Sequence, residues 1–145
     1  MTNDVDQMEA TMSTPFGPQL IGETEKTLGA ILRGLLDDTG LTEPQWVTLR
    51  IAQQNEAPTD LATQVADRAH FPDAAQLVAT LTERGLLAQD ALTVAGRDLV
   101  TAVLARSAAI TGPIWDGMPT QDVAATERVL NTLITRGREV LSAGR

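Results

Sequence analysis

The chain has 145 residues, 43% of them hydrophobic, with one histidine and no cysteine. That is enough for one domain with a packed core, and it excludes disulfides, thiol catalysis and cysteine-based metal sites. A net charge of −8 argues against a general nucleic-acid binder, because lysine and arginine contacts to phosphate supply most non-specific affinity.

Residues 1–15 carry few apolar side chains beyond methionine and read as a frayed tail. Met1–Thr14 has neither the basic nor the apolar region of a secretory signal, and no apolar run is long enough to span a membrane, so a cytoplasmic protein is expected. From Phe16 or Pro18 to Asp37, Leu20, Ile21, Leu28, Ile31, Leu32, Leu35 and Leu36 recur at helical spacing in one broad stripe. Gly22, Gly29 and Gly34 weaken this helix in isolation, so it needs a partner to bury its stripe. Asp38-Thr39-Gly40 stops it. The adjacent Asp37 and Asp38 point to different sides of a helix and read as a solvated last turn rather than paired carboxylates for acid–base work.

Thr42 caps the next helix, Pro44 sits in its first turn, and Trp46, Val47, Leu49 and Ile51 carry it to Gln54. Asn55 to Pro58 reads as a loop and Thr59 as the next cap, ahead of Leu61, Ala62, Val65 and Ala66 on one face. Arg68 to Pro72 reads as a turn, since proline disfavours helix at the residue before it. A helix opening at Pro72 or Asp73 holds Ala74, Leu77, Val78 and Leu81 and stops near Gly85. With Leu77, Val78 and Leu81 inward, Asp73, Ala75, Gln76, Ala79 and Thr80 fall on its outer face.

Leu86, Leu87 and Leu92 read as half-buried strand positions around Ala88-Gln89-Asp90-Ala91. From Thr93 a long helix passes through Leu99, Val103, Leu104 and Ile110, and Gly112-Pro113 is expected to break or kink it. Asp116 to Pro119 is a second break. Thr120 or Gln121 opens a last helix with Val123, Val129, Leu130, Leu133, Ile134 and Leu141. Charge is uneven: residues 1–40 hold two basic and seven acidic side chains, 41–97 four and seven, 98–145 five and five. There is no internal repeat, glycine-rich phosphate loop, His-Glu-x-x-His or Gly-x-Ser-x-Gly, so neither an enzyme nor a cofactor is expected. His70 has no second histidine or cysteine for a metal site and reads as a turn residue, able to hydrogen-bond a phosphate or sense pH.

This order of elements, carried by Gly40-Leu41-Thr42-Glu43-Pro44-Gln45-Trp46, Leu61-Ala62, Leu81-Thr82-Glu83-Arg84-Gly85-Leu86-Leu87 and Leu92-Thr93-Val94-Ala95-Gly96-Arg97, resembles the MarR family of bacterial transcription regulators over residues 18–142. The resemblance implies a mainly α fold with a short β-ribbon wing. Residues 16–145 would form one domain, with a winged helix-turn-helix lobe at 41–97 and dimerisation helices at 16–38 and 98–145. It implies a homodimer whose recognition helices enter major grooves roughly 34 Å apart on a pseudo-palindromic site in double-stranded DNA. It further implies a repressor whose small apolar or aromatic effector binds between dimer helices and lobe and shifts DNA affinity.

The DNA-binding side chains this implies are Thr59, Arg68, His70, Ala75, Gln76, Ala79, Thr80 and Arg84. Glutamine can pair with adenine and threonine or alanine can touch a thymine methyl, while Arg68 is the best phosphate contact. Read plainly, the same helix face is only solvated, and Arg84 and Arg97 pair with acids such as Glu83, Asp90 or Asp98. The implied effector pocket takes Phe16, Leu20, Trp46, Trp115 and Met118; the alternative for both tryptophans is core packing. Two features depart from the family: Gln76 and Thr80 stand where basic residues are common, and the span from Leu87 to Leu92 is short and holds no cation. A second function therefore stays open, a winged-helix dimer that has lost DNA binding and acts as a protein-interaction or ligand-sequestering module.

Overall fold

In a computed structural model, which describes residues 13–55 and 60–144, the chain runs α1 (Pro18–Leu36), α2 (Glu43–Gln54), α3 (Leu61–Ala69), α4 (Ala74–Glu83), β1 (Leu87–Ala88), β2 (Ala91–Leu92), α5 (Val94–Trp115) and α6 (Thr120–Ala143). The tail expected at 1–15 falls largely outside the described residues. Backbone contacts divide the chain after Ser107, so the first unit holds α1 to α4, the ribbon and most of α5, and the second holds the end of α5 with α6.

The caps explain the helix starts. Thr42 and Gln45 form a reciprocal capping box on α2, with Gln45 N–H donating to Thr42 Oγ1 at 3.3 Å and Thr42 N–H to Gln45 Oε1 at 3.0 Å. At α3 the cap is Asp60, whose Oδ2 accepts from Thr63 N–H at 3.1 Å; the expected cap, Thr59, lies outside the described residues. α3 also continues through Arg68 to Ala69, beyond the turn expected to begin at Arg68. His70 takes the left-handed conformation itself, φ 59°, and donates its N–H to Ala66 O at 3.0 Å, so the bend needs only residues 70–73.

α4 ends as its sequence implies. Gly85 has φ 78°, its N–H donates to Thr82 O, and Leu86 N–H donates to Leu81 O, both at 3.0 Å. Those two bonds make a Schellman motif, and Leu81 and Leu86 are both buried, which supplies its apolar contact. The ribbon pairs Leu87 with Leu92 and Ala88 with Ala91, antiparallel. Its turn residues Gln89 and Asp90 both have positive φ, 51° and 64°, the geometry of a type I′ turn. Leu86 and Leu87 are buried rather than half-buried, because the ribbon is seated between α2 and α4.

Leu36, Leu41, Trp46, Leu49, Leu61, Val65, Leu77, Leu81, Leu87, Val100 and Val103 form the core of the first unit. Each leucine buried there stabilises by roughly 1.5–3 kcal/mol. α5 is not broken at Gly112-Pro113: it runs to Trp115 with Pro113 inside it. A proline this close to a helix end removes one bond to the preceding turn, and Asp116 N–H to Gly112 O at 2.9 Å still closes the last one. α6 buries none of its 24 residues within the chain. Among the described residues, no helix is long and apolar enough to cross a membrane.

The Asp37-Asp38 turn is exposed, yet Asp38 accepts from Arg106 Nη1 of α5 at 2.8 Å. That hydrogen bond, with the guanidinium charge, holds the Asp38 carboxyl below the usual carboxylate range. A lowered folded-state pKa contributes stability above the ordinary carboxylate pKa, and that contribution is lost as pH falls through the lowered value. Asp38→Asn is therefore expected to lower the unfolding midpoint slightly at neutral pH and not at all in strong acid, a difference read by urea titrations at both pH values. The effect is small because both partners are exposed.

Candidate nucleic-acid interface

α3, the His70 bend and α4 form a helix-turn-helix whose inner side is sealed by Leu61, Val65, Ala74, Leu77 and Leu81. The outer side of α4 exposes Ala75, Gln76 and Ala79 and half-exposes Thr80, as the period of three to four residues predicts. Gln76 Nε2 donates to Thr80 Oγ1 at 3.3 Å, so these two polar side chains lie along one line of the helix. The amide keeps its carbonyl and a second N–H for an outside partner. Ala75 and Ala79 set methyl groups on the same exposed side of the helix.

The cations sit around α4 rather than on it. Arg68, exposed in the last turn of α3, donates from Nη2 to Gln54 Oε1 at 3.0 Å, which fixes its guanidinium at the end of α2 with other N–H groups unused. His70 is exposed on the bend. Arg84 does not pair with Glu83 or Asp90. Its Nη1 donates to Gly40 O at 3.1 Å and Nη2 to Thr39 O at 3.5 Å, strapping the end of α4 to the loop between α1 and α2. Arg97 is exposed on α5, and Arg50 is turned along α2 to Gln53. Thr59, the remaining DNA-contact candidate, is outside the described residues. Asp73 precedes α4 without a side-chain capping bond, leaving an exposed carboxylate at the helix start.

The residues expected to line an effector pocket divide. Trp46 is buried in the core, so core packing is the role it fills. Phe16 is 64% exposed and Leu20 half-buried in the first unit; Trp115, 58% exposed, and Met118 belong to the second. Two structural residues escaped the sequence reading. Asp90, at the ribbon turn, accepts from Leu61 N–H at 3.3 Å. Gly96 brings α5 against the backbone of Leu86. The signal for the first was a two-residue turn with no glycine, and for the second a glycine inside a helix-forming stretch.

No protein-family model matches the chain, and no curated protein sequence matches it. Solved structures do match. CouR from Rhodococcus jostii RHA1, crystallised with p-coumaroyl-CoA, is 25% identical over 79% of this chain and 89% of its own, with a TM-score of 0.66. A MarR-family transcriptional regulator from Rhodococcus sp. RHA1 is also 25% identical, over 85% of this chain and 98% of its own, at 0.62. In fold and over most of its length the chain is similar to MarR-family regulators. BpsR of Bordetella bronchiseptica, whose DNA binding is regulated by 6-hydroxynicotinic acid, shares the fold at 21% identity and a TM-score of 0.60, over 83% of this chain and 97% of its own. In the winged-helix fold that these structures share, α4 is the second helix of the helix-turn-helix and the β1–β2 ribbon the wing. Neither element carries a cation; Arg68, in the last turn of α3 just before the His70 bend, bonds a side-chain oxygen, whereas Arg84 at the end of α4 bonds backbone carbonyls.

Proposed function

We propose that this protein is a homodimeric, cytoplasmic DNA-binding regulator of repressor type, which reads a pseudo-palindromic site through α4 and releases it when a small apolar or aromatic effector binds. The observation that carries the reading is the outer face of α4. Ala75, Gln76, Ala79 and Thr80 stand clear of a core that holds the opposite face rigidly. Gln76 is the adenine reader, Ala79 and Thr80 touch thymine methyls, and Arg68 and His70 hold phosphate. The effector class is supported by the aromatic acyl ligand of CouR and the aromatic acid that acts on BpsR.

The test is an anisotropy titration with duplexes from the region upstream of the protein's own gene, repeated over a salt series. Arg68→Ala is expected to weaken binding to every sequence alike and to reduce the slope of log affinity against log salt by about 0.9. Gln76→Ala is expected to leave that slope unchanged and to relax preference at one base step, at a cost of about 1–3 kcal/mol. Identical behaviour of the two variants would contradict these roles. Absence of any sequence-selective binding at low salt overturns the reading. It would favour a winged-helix dimer that has lost DNA binding, a reading supported by the absence of any basic side chain on the wing and on α4.

A further inference from the structure

The wing of this protein holds Ala88, Gln89, Asp90 and Ala91 between its two leucines, with no basic side chain to enter a minor groove. Its one charged group is turned inward. Asp90 Oδ2 accepts from the N–H of Leu61, the first residue of α3, an amide that has no partner inside the helix. Asp60 occupies the cap beside it, so two carboxylates meet the positive end of α3. The bond joins residues 29 positions apart and closes a loop containing the whole α3–α4 pair. The ribbon is held elsewhere as well, β1 against α4 and β2 against α2.

We propose that the wing is an internal strut, with Asp90 as its anchoring and positioning residue, and that the lobe approaches DNA through the major groove without a minor-groove arm. The second half rests on the proposed function; the first does not. Turn chemistry makes the strut testable by sign. Asp90 has φ 64°, where glycine is at ease and a side chain is strained, so on conformation alone Asp90→Gly should stabilise the turn. If the carboxylate is an anchor, the same change removes the partner of a helix-start amide and loosens the α3–α4 pair.

The experiment measures hydrogen exchange at the Leu61 amide, together with urea midpoints, in the full-length protein and in Asp90→Gly and Asp90→Asn. Asparagine tolerates the same backbone conformation and keeps an acceptor oxygen. Exchange at Leu61 is expected to rise about tenfold in Asp90→Gly, with a lower midpoint, and to remain near wild type in Asp90→Asn. Unchanged exchange with a raised midpoint in Asp90→Gly overturns the strut. For the DNA half, hydroxyl-radical cleavage is mapped on a duplex selected by the protein from a random pool. Minor-groove sugars flanking the site are expected to stay unprotected. Flanking protection that disappears in Gln89→Ala overturns a wingless approach. Failure to select any duplex overturns the proposed function and this half with it, and the exchange rates still decide the strut.

Discussion

Gly96→Ala is expected to cost about 3 kcal/mol or more, a large share of the roughly 5–15 kcal/mol that holds a domain of ordinary size together. A methyl group at this position would lie 2.2 Å from the carbonyl oxygen of Leu86 and 3.1 Å from its carbon. Neither element can retreat cheaply. Thr93 N–H donates to Leu86 O at 3.1 Å, Thr93 Oγ1 donates to Gly85 O at 2.6 Å, and the same hydroxyl accepts from Gly96 N–H at 3.0 Å. The first turn of α5 is thus laced onto Gly85-Leu86, which also completes the Schellman end of α4. Moving α5 away breaks these bonds; moving Leu86 drags a buried leucine out of the core. Gly34→Ala is the matching control, because Gly34 is exposed in α1 with nothing within 4 Å, and it is expected to gain about 0.5–1 kcal/mol from helix propensity. Urea midpoints at one protein concentration check both. A Gly96→Ala midpoint at or above wild type would show that the contact between α5 and Leu86 yields freely.

Local chemistry was legible in the sequence and distant chemistry was not. The end of α4 could be read from Leu81 to Leu87 because a Schellman motif is written within six residues, and the outer face of α4 followed from periodicity alone. Thr42 was likewise readable as a cap, since its partner Gln45 is three residues on. The start of α3 was misread by one residue. Thr59 and Asp60 are both of residue types that cap; Asp60 holds the cap through Thr63 N–H, and a second carboxylate, Asp90, reaches the Leu61 amide at the same helix end from 29 positions away. Gly112-Pro113 predicts a break or a kink, and the helix is not broken there, because propensity says nothing about how near the helix end already is. Arg84 does not pair with the neighbouring acids that its sequence position offers; it bonds carbonyls 44 and 45 positions back, which only the packed loop brings within reach. In the site, the sequence therefore supplied which side chains face outward and the fold supplied what holds each cation.

Leu133→Glu is expected to abolish the dimer and to melt α6 with it. α6 has 24 residues, and its large apolar side chains at Val123, Val129, Leu130, Leu133, Ile134, Val140 and Leu141 are all exposed within the chain. At 100° per residue they fall on one stripe, with Gly137 inside it and Arg128, Thr132 and Glu139 on the opposite face. A helix of this kind has marginal stability alone, because propensity rarely exceeds the cost of nucleation without a buried face. A second copy meets the need symmetrically, since the same stripe can serve both sides of a two-fold interface. The native protein is then expected to sediment as a dimer, with an unfolding midpoint that rises with protein concentration. An unpaired carboxylate placed in that interface costs about 3–5 kcal/mol, enough to leave monomers at micromolar concentration. Loss of helical circular dichroism should accompany dissociation, because the freed α6 has nothing to bury its stripe. Thr132→Glu adds the same charge to the opposite face and is expected to change neither quantity. A Leu133→Glu protein that stays dimeric, or becomes monomeric with its helicity intact, would mean that α6 does not depend on a partner. On the proposed function, the two copies of α4 would then lack a common scaffold to set their spacing on DNA.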